Sequence, residues 1–161
     1  MSRSARAPAR RVRVLGDLFH GRLPADAVYV GRAAPGLRAS RYANPHRVGA
    51  CRRCGQEHDQ VGAVMAYAID LDRQPDLVAA VRQDLAGVDL ACWCRQDVPA
   101  CHGDVLVLVA AGTTPYAAAA AVLPDRVSVG LDDGPVVVPT RELSGEDIGG
   151  QVEGVRGGPV P

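Results

Sequence analysis

Cysteine placement limits this chain more than any other feature. The five cysteines fall as Cys51-x2-Cys54 and, further on, as Cys92-x-Cys94 with Cys101. An odd number cannot be wholly consumed in intramolecular disulfides, and the start of the chain shows no apolar run of signal-peptide type. The expectation is thiols or metal ligands in a cytoplasmic protein. In Cys51-Arg52-Arg53-Cys54-Gly55 two thiolates can grip one ion from a tight turn that the glycine relieves, and His58 offers a third ligand just before a helix. Such a knuckle needs completing from elsewhere. The second cluster, Cys92, Cys94, Cys101 and His102, is the expected source, with Cys94 assigned to the site. The expected ion is a structural zinc that ties a loop to the edge of a sheet. Unliganded thiols are the main alternative, and a redox dithiol at Cys51 and Cys54 is the lesser one, because no thioredoxin-like helix follows the pair directly.

The rest of the pattern is that of an α/β domain. Residues 11–15 alternate weakly, and residues 26–30 form a short apolar strand ending in Gly31-Arg32. Residues 33–58 read as loop. Val61, Val64, Met65, Ala68, Ile69 and Leu71 then fit one face of a helix, and Pro75 opens a second helix stopped at Gly87. Residues 88–94 read as a strand with Val88, Leu90, Cys92 and Cys94 on one face and Trp93 on the other. A buried helix over residues 105–111 ends at Gly112. Strand, helices, strand, loop and helix in this order predict a small Rossmann-like parallel sheet with flanking helices and the knuckle inserted in a loop. The loops after Arg32 and Cys94 would then open together at the carboxyl ends of the strands, where such sheets bind ligands. The expected division is a disordered leader (1–10), the domain (11–112), an extension with a β-hairpin over residues 127–138 (113–143), and a flexible tail (144–161).

Composition removes several classes of function. The formal net charge is zero, and all 18 basic residues are arginine. Schiff-base and P-loop lysine chemistry are therefore excluded, and an anion site must use arginine or backbone N–H groups. No stretch approaches the roughly 18–20 apolar residues of a membrane span, so no membrane partner is expected. The arginine-rich first 22 residues are read as a solvated leader, with a nucleic-acid contact as the alternative.

Two further constellations carry chemistry. Cys101-His102-Gly103-Asp104 stands where a helix should begin, and a helix N-terminus favours a thiolate and bound anions. The functional expectation is a nucleophilic Cys101, with His102 as acid/base and Asp104 orienting it; the plainer one is Asp104 as a helix cap. Gly31, Arg32 and Asn44, the only asparagine, form a candidate polar wall for a phosphate or a base edge. Trp93 is expected to pack in the core, with ring stacking on a ligand as the alternative.

Tyr29-Val30-Gly31-Arg32, Ala43-Asn44-Pro45, the segment around Ala63 to Tyr67, Leu90-Ala91-Cys92-Trp93-Cys94 and Cys101-His102-Gly103-Asp104-Val105-Leu106 resemble an uncharacterised family of actinobacterial and phage proteins. It is number 4326 among the domains of unknown function. The resemblance spans roughly residues 27–110 and implies no activity. It marks Gly31, Arg32, Asn44, Pro45, Cys92, Trp93, Cys94, Cys101, His102 and Asp104 as the defining positions. Against the family pattern the Cys51–Cys54 knuckle is an insertion after Asn44-Pro45-His46, which favours a structural zinc. His46 replaces a more usual aromatic residue there and adds a further candidate ligand.

The expected function is that of a zinc-containing enzyme, a hydrolase or transferase, that binds or cleaves a nucleotide- or nucleoside-like small molecule at the sheet edge. The alternative is a zinc-stabilised nucleic-acid-binding or phage accessory module without catalysis. The 4% aromatic content leaves few stacking platforms for that alternative.

Overall fold

The computed structural model describes residues 8–124. The chain opens with two short strands, β1 (Arg11–Arg13) and β2 (Val28–Tyr29). A hairpin of β3 (Gly49–Ala50) and β4 (Glu57–His58) follows, then helices α1 (Gln60–Asp72) and α2 (Pro75–Asp84). Strand β5 (Leu90–Cys92) precedes helices α3 (His102–Ala110) and α4 (Pro115–Val122). Residues 1–7 of the expected leader lie outside the described residues, as do the expected hairpin over residues 127–138 and the tail.

β1, β5 and β2 form a parallel sheet in that order. β5 takes the centre because Leu90, Ala91 and Cys92 are all buried, the continuous apolar run that a doubly covered parallel strand requires. Arg11 and Val28 both pair with Leu90, which puts the carboxyl ends of β2 and β5 level. The ladder extends past the strands, with Val14 N–H donating to the Cys92 carbonyl at 3.0 Å and Val30 N–H to the Ala91 carbonyl at 2.9 Å. The result is a mixed α/β fold with a three-stranded parallel sheet and, among the described residues, four helices.

The helices start where their caps dictate. The Asp59 carboxylate accepts from Gly62 N–H at 2.6 Å, which satisfies one of the free N–H groups at the start of α1. Pro75 occupies the first turn of α2, where its missing N–H costs nothing. The buried strip of α1 is Ala63, Val64, Tyr67, Ala68 and Leu71. Tyr67 takes the place expected for Ile69, which is exposed. The phenol can be buried there because its hydroxyl donates to the Tyr42 carbonyl at 2.8 Å. Leu71, Leu85, Leu90 and Leu106 are fully buried in the core, each contributing about 1.5–3 kcal/mol by its removal from water.

Two elements depart from the sequence pattern. Residues 33–58, expected as loop, contain the β3–β4 hairpin, in which Gly49 lies opposite His58. α4 continues the folded unit beyond residue 112. Its Ala118 and Ala119 are wholly buried, and the helix packs on α1 and α3. No helix among the described residues is long and apolar enough to cross a membrane.

Candidate functional site

The hairpin assembles the first group of ligands. Gly55, at φ +74°, closes the Cys51–Cys54 turn in the left-handed region that favours glycine. Gly55 N–H donates to the Cys51 carbonyl and Cys51 N–H to the Gln56 carbonyl, both at 2.8 Å. β4 then returns beside β3 and brings His58 Nε2 to 3.1 Å from Cys54 Sγ. His46, just upstream of β3, places Nδ1 3.6 Å from Cys51 Sγ. The donor atoms of His46, Cys51, Cys54 and His58 all lie within 4.8 Å of one another. A tetrahedral ion with sulfur ligands at about 2.3 Å and nitrogen at about 2.0 Å would set them about 3.5 Å apart, so small adjustments close the set. His46 Nε2 faces Asp70 Oδ2 at 3.0 Å, an outer carboxylate that fixes the tautomer and leaves Nδ1 free to ligate. Burial pushes the Cys51 thiol up, but the backbone N–H groups of Arg47, Cys54 and Arg53 outweigh it and hold the group at about 6.

The expected bridge between the two cysteine clusters is thereby corrected. Cys94 does not join Cys51, Cys54 and His58; His46 takes that place, because the hairpin and the loop entering it supply all four donors locally. Cys94 instead groups with Cys92 and Cys101, whose sulfurs also lie within 4.8 Å of one another. Cys92 Sγ and Cys101 Sγ are 3.5 Å apart. Hydrogen bonds with Cys101 and Cys92 hold the Cys94 thiol far below its ordinary range, while the free thiol of Cys101, hydrogen-bonded to both, is pushed up.

The expected nucleophile, acid/base and orienting carboxylate are not arranged as such. Cys101 is fully buried and serves as the cap of α3, its Sγ accepting from Gly103 N–H at 3.4 Å. Burial lowers the His102 pKa, so its ring is neutral, and Nε2 donates to the Val30 carbonyl at 2.8 Å. Asp104 lies in the first turn of α3 but is not its cap; its carboxylate accepts from Arg11 Nε at 2.9 Å. Arg11, with a side chain 5% exposed, also donates to the carbonyls of Cys94, Arg95 and Gln96 at 3.4, 3.0 and 3.3 Å. Sequence reasoning placed Arg11 at the start of a strand but counted it in the solvated arginine-rich arm, a reading that its burial and its pairing with Asp104 correct. A guanidinium at an inward-facing register position was the available signal.

Between the two cysteine groups, at the carboxyl ends of β2 and β5, lies a cavity of about 540 Å³. Its wall includes Gly31, Arg32, Asn44, Trp93, Cys94 and His102, with His46 of the first ligand group. Trp93 is not on the face opposite Cys92 and Cys94, because the chain bends directly after β5 and all three reach the cavity. Its indole nitrogen is buried and makes no hydrogen bond of normal geometry. The nearby Tyr29 hydroxyl gives its proton to the Arg32 carbonyl at 2.5 Å. A Cβ on Gly31 would fall 2.5 Å from that hydroxyl, so the site has room for glycine alone. Arg32 and Asn44 form the wall and also hold it in place. Arg32 donates from Nε to the Asn44 carbonyl at 2.7 Å and from Nη2 to the His46 carbonyl. Asn44 donates to the Ala63 carbonyl at 3.0 Å and accepts from His46 N–H at 2.8 Å. Burial and the neighbouring Arg47 lower the Arg32 pKa, against the pull of Cys94 and Cys51. Arg47, which also lines the cavity, carried no recognisable sequence signal.

Fold and donor set together define a small mixed α/β domain with Cys/His groups placed to hold metal. The chain belongs to the family described as domain of unknown function DUF4326, whose profile matches residues 19–112. The match takes in both cysteine groups and all of the cavity lining except Leu18, and leaves β1 and α4 outside. No curated protein and no solved structure matches the chain.

Proposed function

We propose that this chain is a zinc-stabilised, reduced Rossmann-like domain that binds a small planar anion of nucleotide or nucleoside type. Zinc would be held by His46, Cys51, Cys54 and His58. Four mixed nitrogen and sulfur donors with no open position are the habit of a structural zinc rather than of a hard cation.

The observation that carries the ligand reading is the composition of the cavity wall. It combines a half-buried arginine whose charge is disfavoured by burial and by the neighbouring Arg47, Arg32, with an aromatic ring whose buried N–H makes no hydrogen bond of normal geometry, Trp93. An anion relieves the first and a ring bearing an acceptor answers the second. Binding has more support than cleavage. Both histidines of the wall are committed, His102 to the Val30 carbonyl and His46 to Asp70 and Cys51. The nucleic-acid alternative loses ground because Arg53 and Arg10 are paired within the domain, with Asp70 at 3.5 Å and Asp89 at 3.7 Å.

Trp93 is the only tryptophan, so the protein carries its own reporter. Titrating nucleosides and nucleoside mono- and diphosphates while following its fluorescence should show saturable quenching, stronger for the phosphorylated members and weakened in Arg47→Ala. A flat response to all of them would sink the ligand reading.

A further inference from the structure

The cavity has a second group of metal-type donors, and the zinc reading above does not use it. Cys92 ends β5, Cys94 follows in the bend, and Cys101 caps α3, so three separate local structures aim sulfur at one point. We propose that Cys92, Cys94 and Cys101 hold a second, thiophilic metal ion of the zinc class, with its fourth coordination position facing the cavity.

Spacing supports a single ion. Three thiolates at about 2.3 Å from a tetrahedral centre stand about 3.8 Å apart, and the three sulfurs here lie within 4.8 Å, with Cys92 and Cys101 at 3.5 Å. The charge balance also fits. Three thiolates on a dication leave one net negative charge, and the buried Arg11 guanidinium lies beside it while its carbonyl contacts hold the turn that carries Cys94. Gly103 N–H, at the positive end of α3, already points at Cys101 Sγ. No fourth cysteine joins the trio, since the other two, Cys51 and Cys54, belong to the hairpin group. Cys92 and Cys94 both line the cavity, so the open side of the trio is the ligand's side. Three protein ligands and one exchangeable position make a reactive centre rather than a closed structural one. The fourth position would take water or a donor atom of the bound molecule. This last point rests on the cavity being a ligand site; the ion itself does not.

The test is metal stoichiometry of the full chain, purified under reducing conditions and titrated with cobalt(II). Two cobalt ions per chain are expected, both with sulfur-to-cobalt charge-transfer absorption. Cys54→Ser should lose one ion and Cys94→Ser the other, each with the helical circular dichroism retained. In Cys54→Ser, azide should shift the visible bands of the remaining ion, the signature of an exchangeable position. One ion per wild-type chain overturns the proposal whatever the variants do. So does a second ion retained in Cys94→Ser, and bands indifferent to azide overturn the open position. Loss of nucleotide quenching with both ions present would instead count against the ligand reading alone.

Discussion

His102 gives its Nε2 proton to the Val30 carbonyl across 2.8 Å, joining the first turn of α3 to the end of β2. The contact is buried, so neither partner can turn to water. Replacing His102 with alanine strands the carbonyl and opens a gap, and should cost about 2–4 kcal/mol in urea unfolding. His102→Gln, which keeps a donor, should restore part of the loss. Equal stability of wild type and His102→Ala would contradict the bond.

The knuckle should be held shut by its metal. Structural zinc contributes on the order of 10 kcal/mol in small sites, more than a two-residue hairpin can supply for itself. Chelation should therefore loosen the backbone at the already exposed Arg52 and Arg53 and speed tryptic cleavage there while the helices stay folded. Asp70→Asn should weaken metal affinity about 10–100-fold by loosening His46. Mass spectrometry of the tryptic fragments, with and without chelator, decides this; identical digestion patterns would count against a metal at the hairpin.

Arg32 reaches two carbonyls, those of Asn44 and His46, with one planar group. A lysine can meet only one of them in that geometry. Arg32→Lys should lower the thermal midpoint by several degrees and weaken ligand quenching of Trp93 at least about tenfold, a loss of some 1.4 kcal/mol. An unchanged titration would show that the fork is dispensable.

Alkaline pH offers a separate check on the core. Burial, and then the hydrogen bond to Asp84 at 2.5 Å, push the Tyr42 hydroxyl up to about 12. An unfolded chain releases that proton near pH 10. Between the two values the folded state binds more protons, so the contribution is fully present below about pH 10 and is lost as pH rises toward 12. Tyr42→Phe should be the less stable protein at neutral pH, and the gap should narrow as pH climbs through that window. Denaturation midpoints for both proteins across about pH 8 to about pH 11.5 measure it.

α4 is packed through side chains too small to accept more volume. Ala119→Leu should cost about 1–3 kcal/mol by forcing α4 off α1 and α3, whereas Ala120→Leu, on the exposed side, should be nearly neutral. Equal thermal midpoints for the two variants would place α4 outside the folded core.

The sequence exposes whatever rests on periodicity or on residue chemistry. α1, α2, α3 and the parallel sheet follow from apolar spacing, and Gly31, Arg32, Asn44, Cys94 and His102 meet at the edge where the topology directs them. What it hides are partnerships set by local backbone turns. The β3–β4 hairpin returns His58 to the knuckle and leaves no vacancy for Cys94. A bend after Cys92 cancels the alternation that should have sent Trp93 to the other face. α4, nearly all alanine, has no apolar stripe to announce it, because small side chains pack by close approach rather than by contrast with polar neighbours. Asp104 looks like a cap from its position, yet Cys101 caps the helix and Arg11, far away in sequence, claims the carboxylate.

His46 belongs at once to the metal group and to the cavity wall. On the proposed reading the two binding equilibria share a side chain, so each can bias the other. A cavity occupant that favours the metal-ready orientation of that ring must tighten the ion by the same factor by which the ion tightens it. If both proposed sites are real, removing the ion should weaken the small molecule's binding by that same factor.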